Sequence, residues 1–329
     1  MFSKTELKYI QEIQDKMSAY ISSSYKKGAT ERDAHPKTLG LVKGYFSIEP
    51  NLPNELKQGI FGTQNKYPVL IRYSNGNHKI QSDLKKDIRG ISLKLIAVSG
   101  QRTPDSLEKN TQDFLLMSHA TMPFGTLKKF RDVIVSTINS SLFLKLKWLL
   151  TNLKTAKLVK KSKLSHQSLS TINYWSTTTY AFGNTMVKYK LTPSVHIHKK
   201  FTIDNSYNRL ANRLKQELAT QEIAYDFCIQ FYKNEKETPT KDMSVEWDEK
   251  LSPFKKVASL TIPKQVVGKH VKLNQKITYS LTNSLLEHKA VGELNNVRIK
   301  VYKALAELRH HLNNNNPKYE PTLEDFKNL

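Results

Sequence analysis

The sequence predicts an α+β fold, an antiparallel β-barrel surrounded by helices. Short apolar alternations recur over residues 39–48, 69–73, 90–96 and 114–117, separated by turn-forming stretches such as EPNLPNE and SNGNH. Strand-like runs return at 174–189, 194–201, 224–232 and 255–264, after a helical interruption at 124–165. Strands on both sides of one helical insertion fit a barrel wrapped by helices better than alternating βαβ units.

In chain order, residues 4–24 set Leu7, Ile10, Ile13, Met17, Tyr20 and Ile21 at spacings of three and four, an amphipathic helix expected on the outside of the core. Lys26, Lys27 and Gly28 end it. The stretch TERDAHPKTLGLVKGYF, residues 30–46, then puts Arg32 three residues before His35 and runs into the first strand. A histidine entering a strand rich in Leu39, Leu41, Val42, Tyr45 and Phe46 is expected to be half-buried, and its titration near neutrality suits it to proton transfer. Residues 97–112 are polar and read as a loop. The second half of the insertion, SLFLKLKWLLTNLKTAKLVKKSKLS, is both apolar and cationic: from 126 to 164 there are ten Lys and Arg against one acid, Asp132. A basic helix over 142–164 with Trp148 and many leucines either lies on an anionic membrane surface or packs on the core with a solvated edge.

Residues 205–221 read as a helix with Leu210, Leu214 and Leu218 at fours. A last long helix, 292–312, carries a stripe of Leu294, Val297, Val301, Leu305, Leu308 and Leu312, with Arg298 and Tyr302 on a neighbouring face. The domain plan is therefore an N-terminal helix at 1–27, a main domain at 28–312 and a polar tail at 313–329. His196 and His198 alternate on a predicted strand but have no visible third metal ligand. His310 and His311 stand at a helix end, where cations are favourable.

With 329 residues and 38% hydrophobic composition, the chain can bury a core large enough to enclose a cofactor. Its one cysteine, Cys228, excludes an internal disulfide and points to a reducing compartment. The N-terminus has charges throughout and does not read as a signal peptide, so a cytoplasmic location, peripheral at a membrane, is the expectation. The net charge of +23 implies attraction to an anionic surface. No zinc-finger, helix-turn-helix or RNP signature accompanies it, so no specific nucleic acid is expected as a partner. A homodimer stays open.

Four segments in order carry a resemblance: Arg32-Asp33-Ala34-His35-Pro36-Lys37, PVLIRYSNG at 68–76, DIRGISLKL at 87–95, and Arg298-Ile299-Lys300-Val301-Tyr302. Together, over about residues 28–312, they resemble the haem-catalase core, and look most like its short members without a long N-terminal arm or flavodoxin-like extension. The resemblance implies haem b held between a catalase-type barrel and the C-terminal helix. It makes His35 the distal acid and base, with Ser74 hydrogen-bonded to it, and Tyr302 the axial ligand of the iron. Arg32 and Arg72 would pair with haem propionates, and Phe130 would stack on the porphyrin. Arg89 reads as structural. A tyrosine binds ferric iron as phenolate, and with a free pKa near ~10 it needs a cation such as Arg298 one turn away.

One departure matters. Haem catalases place an asparagine at the end of the strand that here reads DFLLMSHATMPF, and this chain has Met117 and Ser118 there. Ser118 could donate one hydrogen bond to peroxide, with His119 close by. The resemblance thus implies a catalase- or peroxidase-like enzyme acting on hydrogen peroxide or organic hydroperoxides, with weak dismutation. The related allene oxide synthase branch, which rearranges fatty-acid hydroperoxides at membranes, is an alternative, though its threonine before the distal histidine is Ala34 here. A non-enzymatic basic protein binding membrane or nucleic acid is the third.

Overall fold

A computed structural model describes residues 2–63, 65–138, 140–194, 204–316 and 319–329. The elements run α1 (Lys4–Ser24), β1 (Thr38–Ile48), α2 (Ile60–Thr63), β2 (Lys66–Asn75), β3 (Arg89–Ile96), β4 (Thr111–Met117), α3 (Leu127–Thr137), α4 (Leu142–Thr151) and α5 (Leu153–Ser162). They continue β5 (Tyr174–Trp175), β6 (Tyr180–Phe182), β7 (Thr185–Pro193), α6 (Arg209–Thr220), β8 (Ile223–Phe231), β9 (Lys255–Ile262), α7 (Val271–Lys276), α8 (Glu293–Leu312) and α9 (Leu323–Lys327). The expected helical insertion is three helices, and the basic stretch is broken at Asn152 between α4 and α5. The predicted strand at 194–201, with His196 and His198, lies almost wholly outside the described residues.

The strands pair in the order β5-β4-β3-β2-β1-β9-β8-β7-β6, and β5 also pairs with β7. That second pairing closes eight strands into an antiparallel barrel, leaving β6 as a hairpin arm. Closure removes the open edges that a sheet of this size would otherwise present. Period-two alternation sends Val42 and Phe46, Ile71 and Tyr73, Ile91 and Leu93, Phe114 and Leu116 into one buried cluster with Tyr189 and Phe227 from the opposite wall. Ring centroids lie 4.9 Å apart for Phe46 and Phe227 and 5.0 Å for Phe114 and Phe227. The barrel is therefore filled by its own side chains, and a cofactor-sized space has to lie outside its wall.

The other residues of β2–β4 face outward, towards a helical layer. There α1, α3 and α8 share a second core of Ile13, Met17, Phe130, Val297, Val301 and Leu305. The N-terminal helix turns its apolar stripe, with Ile13 and Met17, onto α8 in this second core. The C-terminal tail is also folded onto the barrel: Phe326 on α9 is buried against Leu41 and Leu70. An ion triad pins the outer face. Lys94 on β3 lies opposite Asp113 on β4, with its Nζ 2.7 Å from Asp113 Oδ1 and 2.6 Å from Glu108 Oε2. Asp113 also accepts from Ser280 N–H at 2.8 Å, tying the segment before α8 to the barrel.

Removing one charge of such a buried set strands the others. Lys94→Met should lower unfolding free energy by about 3–5 kcal/mol, read from urea denaturation, because two carboxylates lose their counter-ion. A change under about 1 kcal/mol, the value of an exposed pair, would show that water reaches the triad.

Candidate functional site

A cavity of about 550 Å³ lies between the outward face of β2–β4 and helices α1, α3 and α8. Its floor follows two cross-strand rows. One row aligns Thr38, Ser74, Gly90 and Met117; the next aligns Arg72, Ser92 and Leu115.

His35 sits over the first row. Its backbone has φ of 55°, and Pro36 then starts the extended path into β1. The ring occupies the space left by Gly90, where an added Cβ would stand 2.6 Å from His35 Nδ1. Nδ1 is 3.0 Å from Ser74 Oγ, and the His35 carbonyl accepts from Arg72 Nη2 at 2.6 Å. Burial, then Arg72 and Arg298, push the imidazole pKa down to about 4. At neutral pH His35 is therefore an uncharged proton acceptor.

Besides Arg298, three arginines line the same cavity. Arg32 Nη2 donates to the carbonyls of Asn274 and Ile277 at 2.6 and 2.9 Å. Arg72, 2% exposed, donates through Nε to Thr38 Oγ1 and Asn274 Oδ1 at 3.1 and 3.2 Å. Arg309 donates to the Gln275 carbonyl at 2.6 Å and lies 3.0 Å from His310 Nε2. The partners are carbonyls, an amide, hydroxyls and an imidazole. Among the described residues none of the three forms an ion pair with a carboxylate within 4.0 Å. Burial first, and for Arg72 and Arg309 the nearby Arg32 charge as well, push their pKa values down, while Glu31, and for Arg32 and Arg309 also Asp33 on the same wall, oppose the shift without reversing it. An ordinary protein salt bridge therefore does not explain why these charges are here.

On α8, Arg298 Nε donates to the Tyr302 hydroxyl at 3.2 Å, while Nη1 donates to Asn295 Oδ1 and Thr178 Oγ1 at 2.9 and 3.1 Å. Burial opposes the charge on Arg298, but Tyr302 and Tyr180 beside it hold its pKa above the ordinary value. Tyr302 touches both the barrel cluster and the helical cluster, and with Arg298 it lines the cavity. Phe130 on α3 is buried in the same wall, its ring 5.7 Å from that of Phe124.

The structure thus brings together His35, Ser74, Arg32, Arg72, Phe130, Arg298 and Tyr302. Ser118 is not among them. The outward row ends at Met117, so by alternation the next side chain leaves the cavity. Ser118 Oγ instead accepts from the Arg89 N–H at 2.8 Å. His119 is also absent from the cavity wall, and its Nδ1 lies 3.0 Å from the Thr121 carbonyl. The residue in the histidine's row is the thioether Met117. His310 is not a helix-end cation: it is buried, 2.6 Å from Thr278 Oγ1, with a pKa lowered to about 4 by burial and by Arg309. Arg89 is structural, bonded to Asn75 and to the Asp83 and Lys85 carbonyls. Sequence reasoning missed Arg309, although seven residues after Tyr302 is two helical turns and the same side of α8.

No protein-family model matches the sequence, and no curated protein matches it. Among solved structures the chain is similar to a fungal catalase, at 16% identity and a TM-score of 0.68 over 91% of this chain and 63% of that one. It is similar to a bacterial catalase at 14% identity and a TM-score of 0.67, over 92% and 62% of the two chains. Catalase A from Saccharomyces cerevisiae follows at 14% and 0.64, over 89% and 62%. The chain spans less than two thirds of the length of these catalases. At such identities the likeness establishes the fold, and the barrel with its helices is the catalase fold.

Burial sets the protein's acid response. Beside His35 and His310, His166 is pushed down to about 4 and His288 to about 3, in each case chiefly by burial. The unfolded chain, with histidines near ~6.5, binds more protons than the native one between pH ~6.5 and ~4. Stability should therefore be full above that window and fall as pH drops through it. Thermal melts from pH 7 to 4 read this directly, and a melting temperature flat across the window would show these rings to be solvated.

Proposed function

We propose that this chain, whose fold is that of catalases, is a haem b-dependent oxidoreductase acting on hydrogen peroxide or organic hydroperoxides. The observation that carries the reading is the excess of guanidinium on the cavity wall: Arg32, Arg72, Arg298 and Arg309 line it with His35 and Tyr302, none of Arg32, Arg72 and Arg309 lies within 4.0 Å of a carboxylate among the described residues, and the nearby Asp33 and Glu31 offset only part of that charge. A buried guanidinium calls for an anion. Haem brings two carboxylates and a flat apolar ring, which suits a 550 Å³ space walled by Phe130, Val301 and Leu305. The residues present therefore fit the group.

Bound haem would supply the redox chemistry of O–O cleavage. Arg32, Arg72 and Arg309 would hold its propionates, and Phe130 would cover an apolar face. Tyr302 would bind the iron as phenolate, which the Arg298 guanidinium at 3.2 Å favours. His35, uncharged and held at Nδ1 by Ser74, accepts a proton from the incoming peroxide at Nε2 and can return it to the departing oxygen. Met117 offers no N–H or O–H to polarise the O–O bond. Loss of one such donor commonly costs about two to three orders of magnitude. Peroxidase-type turnover with a reducing co-substrate is thus favoured over dismutation.

Haem addition should give a coloured ferric protein with a tyrosinate-type Soret spectrum; a colourless product would remove the reading. Tyr302→Phe should lose haem or change the spectrum, while Arg298→Ala should weaken phenolate ligation and still bind. Unaltered spectra in both would put the axial ligand elsewhere.

On the haem-loaded protein, oxygen evolution from hydrogen peroxide should be slower than co-substrate oxidation by about a hundredfold or more. Rapid oxygen evolution without a co-substrate would identify an efficient catalase, and rapid co-substrate-independent loss of a fatty-acid hydroperoxide would identify an isomerase.

A further inference from the structure

Helices α4 and α5 present an apolar face that no other described part of the chain covers. In α4 no residue is buried, and Leu142, Phe143 and Leu150 are each 72% exposed. At about 100° per residue, these three fall with Leu146 and Leu149 on one stripe about 120° wide. Lys145 and Lys147 border the stripe, one on each side. Trp148 points to the opposite side and lines the cavity, as do Val159 and Lys163 at α5 and its C-terminal end. The kinked α4–α5 segment is therefore an outer wall of the cavity, and α4 gives it an apolar exterior that no other described residue covers.

The charge around that exterior is of one sign. Lys154, Lys157, Lys160 and Lys161 are exposed on α5, whereas Thr155 and Ser162 are turned inward. No acidic residue occurs between Asp132 and Asp204. Exposed leucines rimmed by lysines complement a surface that is apolar inside and anionic at its boundary, with lysine stems lying along the apolar region and ammonium groups at the headgroups. A second copy of the chain is a poor occupant, because pairing two such segments brings lysines against lysines. Among the described residues no helix is long and apolar enough to cross a membrane, so the contact is with one leaflet.

We propose that the α4–α5 segment docks the protein on an anionic lipid surface, with the outer wall of the cavity against the membrane. The proposal does not depend on bound haem. The full chain, with and without haem, is sedimented with vesicles of pure phosphatidylcholine and of mixed phosphatidylcholine and phosphatidylglycerol. Binding to the mixed vesicles should be about tenfold stronger or more and should weaken as salt is raised. Replacing Leu142, Phe143 and Leu150 together by serine should cut it by about tenfold or more at unchanged melting temperature, since these side chains are exposed. Equal binding to both vesicles, no binding to either, or undiminished binding of the triple variant would each overturn the proposal. Concentration-dependent dimerisation that the triple variant abolishes, without vesicle binding, would overturn it in favour of a second copy.

Discussion

The site depends on positive charge that the chain compensates only in part, through Asp33 and Glu31 acting from a distance. Arg32, Arg72 and Arg309 are held by backbone carbonyls, hydroxyls, an amide and an imidazole, a shell that satisfies N–H groups without supplying a counter-charge. The same arrangement fixes the histidine. Arg72 grips the His35 carbonyl, and its charge, second only to burial, keeps that imidazole neutral. One electrostatic choice thus gives the cavity both its demand for an anion and its proton acceptor.

Much of this could be read from residue order because barrels obey a strict alternation. The runs around Arg72 and Gly90 announced their inward residues, so their outward ones were fixed too. The Arg298 and Tyr302 pair was legible for the equivalent reason on a helix. Alternation also separates the two candidates at the end of β4: Met117 stands in the row of Ser74 and Gly90 and lines the cavity, so the side chain of Ser118 turns away from it. The carbonyls of Asn274 and Ile277 left no trace, since a backbone acceptor has no side-chain signature. Nor could composition show that the tail returns to the barrel, which rests on Phe326 finding Leu41 and Leu70.

The filled barrel decides where chemistry can happen. With aromatic rings packed across its interior, the 550 Å³ cavity of the described residues is walled by an outward strand face and the helices laid over it. That places the polar residues on strands, where register holds them. Phe130, Val301 and Leu305 come instead from the helical layer. The α4–α5 segment belongs to that cover, so whatever surface its exterior meets lies close to the cavity.

The first and last long helices meet over this cavity. Gln14 on α1 donates to the Lys300 carbonyl on α8 at 3.1 Å, Gly28 N–H to the Leu312 carbonyl at 2.9 Å, and Thr30 N–H to Asn313 Oδ1 at 2.8 Å. Partners so far apart in sequence meet only after the intervening chain has been made, and long loops of this kind close slowly. The wall over Arg72 and Ser74 is therefore completed only when residues 283 to 286 positions apart pair, so a change near either end of the chain reaches the cavity as directly as one beside it.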